Sequence, residues 1–236
     1  MYLHTKDYYQ AMQTEYWLLD IESVPDNHYS DTEIEQLYEK RVNAICNECP
    51  TVPSNTLKSE IKERYTIIVS NKMNVYNYPR YIFNKIDIRL LALNYLPSSV
   101  YNELAEIVSS EKEKMQVIEE NNMPRLLENE QRLSDEIKQI FYVHDFEIDS
   151  LQVLSSNVVM HFENDYGLLS AIEFVDARIV ENELNDLEAA PKYETIDWEI
   201  YTDIPDCKYE THLLAARDRE LYYFTVRSSD IVIHRD

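Results

Sequence analysis

The order of hydrophobic periods predicts an α+β protein: an N-terminal helical region over residues 1–139, then a mostly antiparallel β-domain over 140–236. Three observations predict it. Apolar residues recur at helical spacing as far as Ile137, they alternate from about Ile140, and Trp198 to Ile233 reads as strand, turn, strand, turn, strand.

Taken in order, Thr5 is placed to cap a first helix over Lys6 to Gln13, with Tyr9, Met12 and Tyr16 as an aromatic core stripe. Val24-Pro25-Asp26-Asn27 is a turn. Ser30 and Glu33 have capping-box spacing, and Ile34, Leu37, Tyr38, Val42 and Ile45 continue a helix that should end before Pro50. A further helix is expected from Leu57 to about Lys72, although Ile67-Ile68-Val69 also suits a strand. Ile82 to Leu93 is apolar nearly all round and reads as one central buried helix. Asp87 and Arg89 within it suit an ion pair at the core edge better than active-site charges. Val100 to Asn121 and Arg125 to Gln139, separated by Asn121-Asn122-Met123-Pro124, are expected to pair as antiparallel helices.

Beyond 140 the period is two. Val143, Asp145, Glu147 and Asp149 alternate with His144, Phe146 and Ile148, and Val158, Met160 and Phe162 follow in the same way. Asn164-Asp165-Tyr166-Gly167 is a turn, and strands are expected over 168–175 and 177–180. The acidic stretch from Glu181 to Thr195 reads as an exposed loop. In the closing hairpins, Tyr209, Thr211, Leu213 and Ala215 share a strand face opposite Glu210, His212 and Leu214. Tyr222, Phe224 and Val226 form an apolar side, and Arg217 to Glu220 is a connection of hairpin length.

Composition narrows the function. The net charge is -22, a field that repels nucleic acid and anionic membrane and attracts a basic protein. One glycine in 236 residues excludes glycine-rich phosphate loops, which need a bare backbone near the phosphates. Turns must then rely on Asn, Asp, Ser and Pro. No apolar run is long enough to span a bilayer, and the opening residues lack the apolar stretch of a signal peptide, so the cytoplasm is the expected compartment.

Motifs with chemical content are few. Cys46-Asn47-Glu48-Cys49 has C-x-x-C spacing, but it falls at a helix end, where the dipole does not favour a thiolate, so the thiols read as bystanders. His144-Asp145 resembles the doublet of metal phosphohydrolases without its second half. His161 and His212 are single strand histidines, and no further ligand set accompanies them. No cofactor is expected.

Three groups of segments carry a resemblance. They are Met1 to Gln13; Ile86-Asp87-Ile88-Arg89-Leu90-Leu91-Ala92-Leu93; and the closing set Asp197-Trp198-Glu199-Ile200-Tyr201, Tyr209 to Leu214 and Ser229 to Ile233. In their order and aromatic placement they resemble an uncharacterised Firmicutes family, domain of unknown function 4085. The chain departs from that pattern at Val143-His144-Asp145-Phe146, where a small residue would follow His-Asp. The resemblance implies no activity. The closing β-module is also similar to small proteins encoded beside polymorphic bacterial toxins, which implies an immunity role.

The expectation is a non-enzymatic acidic binding protein that engages a basic protein partner through Glu181, Glu183, Asp186, Glu188, Asp197 and Glu199. A metal-dependent hydrolase using His144, Asp145 and His212 is the alternative. A homo-oligomer built on some of the 19 tyrosines is a third reading.

Overall fold

The computed structural model describes residues 3–70, 78–163, 169–202 and 204–235. The turn expected at 164–167 and the expected helix end at Lys72 lie outside the described residues. The protein is α+β, with a helical N-terminal half followed by an antiparallel sheet. It divides into two compact units, Ala11–Lys114 and the combination of Met1–Gln10 with Met115–Asp236. Both crossings between units fall inside helices.

Helix α1 spans Lys6–Glu15, and Thr5 Oγ1 accepts the Tyr8 N–H at 3.1 Å, the cap that the sequence predicts. In the helical unit, β1 (Glu22–Val24) pairs in parallel with β2 (Tyr95–Pro97), and α2 spans Asp31–Glu48. The Ser30–Glu33 capping box is formed in full. Helix α3 (Ser54–Ser70) carries Ile67-Ile68-Val69 as helix, with Ile68 turned into the core. The unit's largest cluster gathers Trp17, Ile68, Tyr78, Ile82, Leu91, Leu96, Val100 and Leu104, and Tyr78 donates its hydroxyl to the Trp17 carbonyl.

The single central helix expected over 82–93 is instead a 3-10 turn, Arg80–Asn84, followed by the short α4, Ile88–Ala92. Asp87 causes the break. Its extended backbone and side chain cap α4, accepting the Arg89 N–H at 3.0 Å. The same carboxylate takes the Arg89 guanidinium at 2.6 Å, and Asp31 takes it at 2.7 Å, so the pair is structural.

The antiparallel helix pair does not form. Helix α5 runs unbroken from Ser98 to Arg132 with Pro124 inside it. Proline removes one donor and crowds the carbonyl four residues back. Asn121 and Asn122 reach back to the Val117 and Ile118 carbonyls at 2.8 and 2.9 Å, adding side-chain hydrogen bonds to the turn just before the proline.

A 3-10 segment, Ile137–Tyr142, precedes the sheet, which begins later than the alternation from Val143 predicts. Its strands are β3 (Glu147–Leu154), β4 (Asn157–Glu163), β5 (Ala171–Val175), β6 (Arg178–Asn182), β7 (Tyr193–Tyr201), β8 (Tyr209–Arg217), β9 (Glu220–Ser228) and β10 (Asp230–His234). Their lateral order is β10-β5-β4-β3-β7-β8-β9-β6. That order hides a closure. Val175 pairs with Asp230, and Arg178 pairs with Arg227, at the same register offset. Thus β5 and β6 are two halves of one bent strand, paired along its length with the bent strand made of β9 and β10. The bends are at Asp176-Ala177 and Ser229, where the Ser229 N–H reaches the Val175 carbonyl at 2.9 Å. The sheet therefore closes into a six-stranded barrel, which leaves few free edges. Its narrowest seam is between β3 and β7, joined through two residue pairs.

Apolar side chains fill the inside: Ile148, Met160, Phe162, Ile172, Phe174, Trp198, Ile200, Leu213, Phe224 and Val226. Ile137, Ile140 and Val143 enter the same cluster, and Trp198 Nε1 donates to the Val143 carbonyl at 2.9 Å. Turns obey the glycine shortage. Positive φ falls on Asp20, Asn94, Asp145, Ser155, Asp176, Asp186, Asp206, Asp218 and Arg219, and the last two form the β8–β9 hairpin. Two consecutive left-handed residues are the type I′ geometry that matches strand twist.

Candidate functional site

Three strands place a polar surface on the outside of the barrel. Trp198 and Ile200 face inward, so Asp197, Glu199 and Tyr201 of β7 face outward. Across the ladder Glu199 is level with His212 and Thr225, while Tyr201 is level with Glu210 and Arg227. Alternation marks these residues as the wet side of a half-buried sheet. They are not wet: Glu199 is 0% exposed, Glu210 4% and His212 6%. Strand β8 is thus buried on both faces, contrary to the half-buried expectation.

The cover is residues 3–6 and the later part of α5. Leu3, fully buried, packs with Leu126 and Tyr201. Glu199 Oε1 accepts two successive backbone N–H groups, from Leu3 at 3.0 Å and from His4 at 2.5 Å, while Oε2 accepts the Tyr201 hydroxyl at 2.7 Å. His4 Nδ1 lies 3.9 Å from Asp197 and 3.8 Å from Glu199. Lys6 closes the segment. Its N–H donates to the Tyr223 hydroxyl at 2.7 Å, and its ammonium rests 2.6 Å from Glu183 and 4.5 Å from the centre of the Tyr223 ring. On α1, Tyr8 donates to Glu119 at 2.7 Å.

Beneath this arm a charged row is fully engaged. His212 Nε2 lies 3.0 Å from Glu210 and Nδ1 lies 3.1 Å from Thr225, and Arg227 Nε donates to Glu210 at 2.6 Å. Burial pushes the His212 pKa down to about 4, against the pull of Glu210 and Glu199. Burial works to raise the Glu210 carboxyl, but the hydrogen bond from Arg227 and the nearby His212 outweigh it and hold the carboxyl below its ordinary value. Asp197 is held above its ordinary value by burial, with His4 and His144 opposing. Glu183 resembles Glu210: burial raises it, and the contacts with Lys6 and the Tyr223 N–H win.

The six carboxylates expected to meet a partner separate into two sets. Glu183, Asp197 and Glu199 are already occupied by residues 3–6, and Glu199 is sealed from solvent. Glu181, Asp186 and Glu188 are exposed, and none of them is in an ion pair among the described residues. The loop expected over 181–195 is shorter than the sequence implies, because β6 runs on through Asn182 and β7 starts at Tyr193. Leu184 and Tyr193 anchor it in the core, and Arg217 stacks on Tyr193 at 4.2 Å while donating to the Asn185 and Asp186 carbonyls.

His144 and Asp145 pair with each other at 2.9 Å at the surface, outside any strand. His144 bears electrostatically on Asp197, while both His212 ring nitrogens are engaged under the arm. Among the described residues no group of three or more His, Cys, Asp or Glu is arranged to hold a metal ion, and Cys46, Cys49 and Cys207 are free thiols. A shallow groove of about 520 Å³ lies between Leu127, Glu130, Gln131, Lys138, Phe141 and Tyr142. No helix among the described residues is long and apolar enough to cross a membrane.

The arm was missed because its partners lie almost two hundred positions away. One signal was present: Asp197, Glu199, Glu210, His212, Thr225 and Arg227 share an outward face whose acids, imidazole and guanidinium complement one another. No protein-family model, no curated protein and no solved structure matches this chain.

Proposed function

We propose that this is a non-catalytic acidic binding protein of the cytoplasm whose partner is a basic protein. Kinship with domain of unknown function 4085 belongs to the same proposal and adds no activity to it. The observation that supports the reading is the seat of Lys6. Glu183 and the Tyr223 ring together hold an ammonium group, and three further carboxylates of the same stretch, Glu181, Asp186 and Glu188, are exposed as a rim. Such a rim steers a cationic protein into contact and raises its association rate. Neutralising a basic toxin is the concrete form of that role.

The test uses a defined probe, fluorescein-labelled octalysine, in stopped-flow with the full chain. Reversing the rim with Glu181→Lys, Asp186→Lys and Glu188→Lys should slow association about tenfold at low salt and flatten its salt dependence. An unchanged rate and salt slope would sink the rim as the docking surface.

A further inference from the structure

The arm is bound as a ligand would be. Glu199 reads main chain: it accepts consecutive N–H groups of Leu3 and His4, contacts that any residue except proline could supply. Side-chain selectivity comes from the flanks. Leu3 fills an apolar seat against Leu126 and Tyr201, and Lys6, three positions on, fills the Glu183–Tyr223 seat. The backbone between them is folded tightly, with the Thr5 N–H donating to the Leu3 carbonyl at 2.8 Å, and helix α1 begins at once.

Two features argue that this cleft is more than packing for residues 3–6. First, Glu199 is a wholly buried carboxylate, and two of its three named donors come from the arm. A buried charge costs several kcal/mol in desolvation, and packed apolar groups in place of the whole set of partners are commonly no less stable, although removing the carboxylate alone strands its donors. Second, the face beneath adds the buried Glu210 and His212, with the half-exposed Arg227 on Glu210, where apolar residues would again suffice for a fold. The ionisable groups therefore suit recognition better than they suit stability.

We propose that the cleft formed by Glu183, Asp197, Glu199, Tyr201 and Tyr223 is a recognition site for a segment of a partner protein, and that residues 3–6 are its resident competitor. The partner segment carries an aliphatic residue, two free backbone N–H groups and a lysine three positions after the aliphatic residue, at the start of a helix. It enters by displacing the arm. The inference rests on the basic-partner reading and specifies the part of the surface that reads sequence, while the exposed rim attracts.

The arm is tethered, so an outside segment competes against an effective concentration on the order of millimolar. Weakening the arm should therefore expose the site. The probe is a fluorescein-labelled peptide copying residues 1–15, titrated into the full chain and into its Lys6→Glu variant. The variant should bind the peptide at least tenfold more tightly than the unmodified chain, and adding Glu183→Lys to it should abolish binding. Equal affinity of the two chains, or binding indifferent to Glu183→Lys, overturns the proposal. So does a Lys6→Glu chain that dimerises in sedimentation by exchanging its arm, because the occupant is then a second copy.

A second measurement needs no variant. In hydrogen exchange of the unmodified chain, the N–H groups of Leu3, His4 and Lys6 should exchange well before those of β8. Arm amides that exchange only with the barrel's global unfolding contradict displacement. Rim reversal that spoils octalysine binding while the peptide never enters removes the cleft and leaves the acidic-binding reading. Peptide entry with an unaffected octalysine rate does the opposite.

Discussion

Strands β7, β8 and β9 present two faces built on opposite principles. The inner face is held by dispersion and the hydrophobic effect: Trp198, Leu213, Phe224 and Val226 are at most 4% exposed and touch other apolar groups. The outer face carries Glu199, Glu210 and His212, equally dry, whose burial depends on each named hydrogen bond being made, while Arg227 and Asp197 keep part of their side chains in solvent. One backbone supports both. An apolar interior tolerates loss in proportion to volume, whereas an ionic one fails when a single partner goes. The difference separates what makes the barrel stable from what holds residues 3–6 on its outer surface.

The comparison can be attacked at several points. The largest effect is expected inside. Phe224→Ala should cost about 4 kcal/mol in urea unfolding, because a ring packed 6.4 Å from that of Phe174 leaves a cavity. A loss below about 1 kcal/mol would mean that the interior is loosely packed.

Acidification probes the outer face next. The His212 pKa lies near 4 in the folded chain against an ordinary 6.5, so the unfolded chain takes up that proton first. Its contribution is full above about pH 6.5 and is lost as pH falls towards 4, roughly 3 kcal/mol in all. Glu210, also held low, extends the loss below its ordinary carboxylate range, while Asp197, held high, acts in the opposite sense. Unfolding midpoints at pH 7 and pH 4.5 should differ for the native chain and differ far less for His212→Gln. Equal slopes for the two chains would remove His212 as the source.

Glu199→Leu should cost about 2 kcal/mol by leaving the Leu3 and His4 N–H groups without that acceptor. It should also speed exchange at those two amides, and a protected arm in this variant would show that Leu3 packing alone holds it. The smallest effect has the opposite sign. Arg219 sits at φ 69 in the β8–β9 turn, where a side chain is strained, so Arg219→Gly should stabilise by up to about 1 kcal/mol. Destabilisation by that change would place the Arg219 side chain in a stabilising contact.

The sequence made local structure legible and left nonlocal structure dark. The Ser30–Glu33 box, the Thr5 cap and the β8–β9 hairpin depend on residues within four positions of one another, so composition and spacing reveal them. Pro124 misleads because its penalty is real, yet α5 continues through it, with Ile118, Met123 and Leu126 on either side packed into one cluster. Barrel closure depends on bends at Asp176 and Ser229, which carry no period. At the site, Glu183, Asp197 and Glu199 stand out by charge. What they hold does not, because a carboxylate that binds backbone N–H groups leaves no side-chain signature in the segment it binds.

Leu3 hydrogen-bonds to a residue 196 positions later. On the ribosome Leu3 to Lys6 emerge long before β7 and β9, the strands that make their seat. At typical synthesis rates of about 5 to 20 residues per second, they must wait on the order of 10 to 40 s for it. Throughout that interval Ala11–Lys114, a compact unit in its own right, can acquire its core. The barrel unit, whose two pieces flank that unit in the chain, is completed only after β9 and β10 have been made.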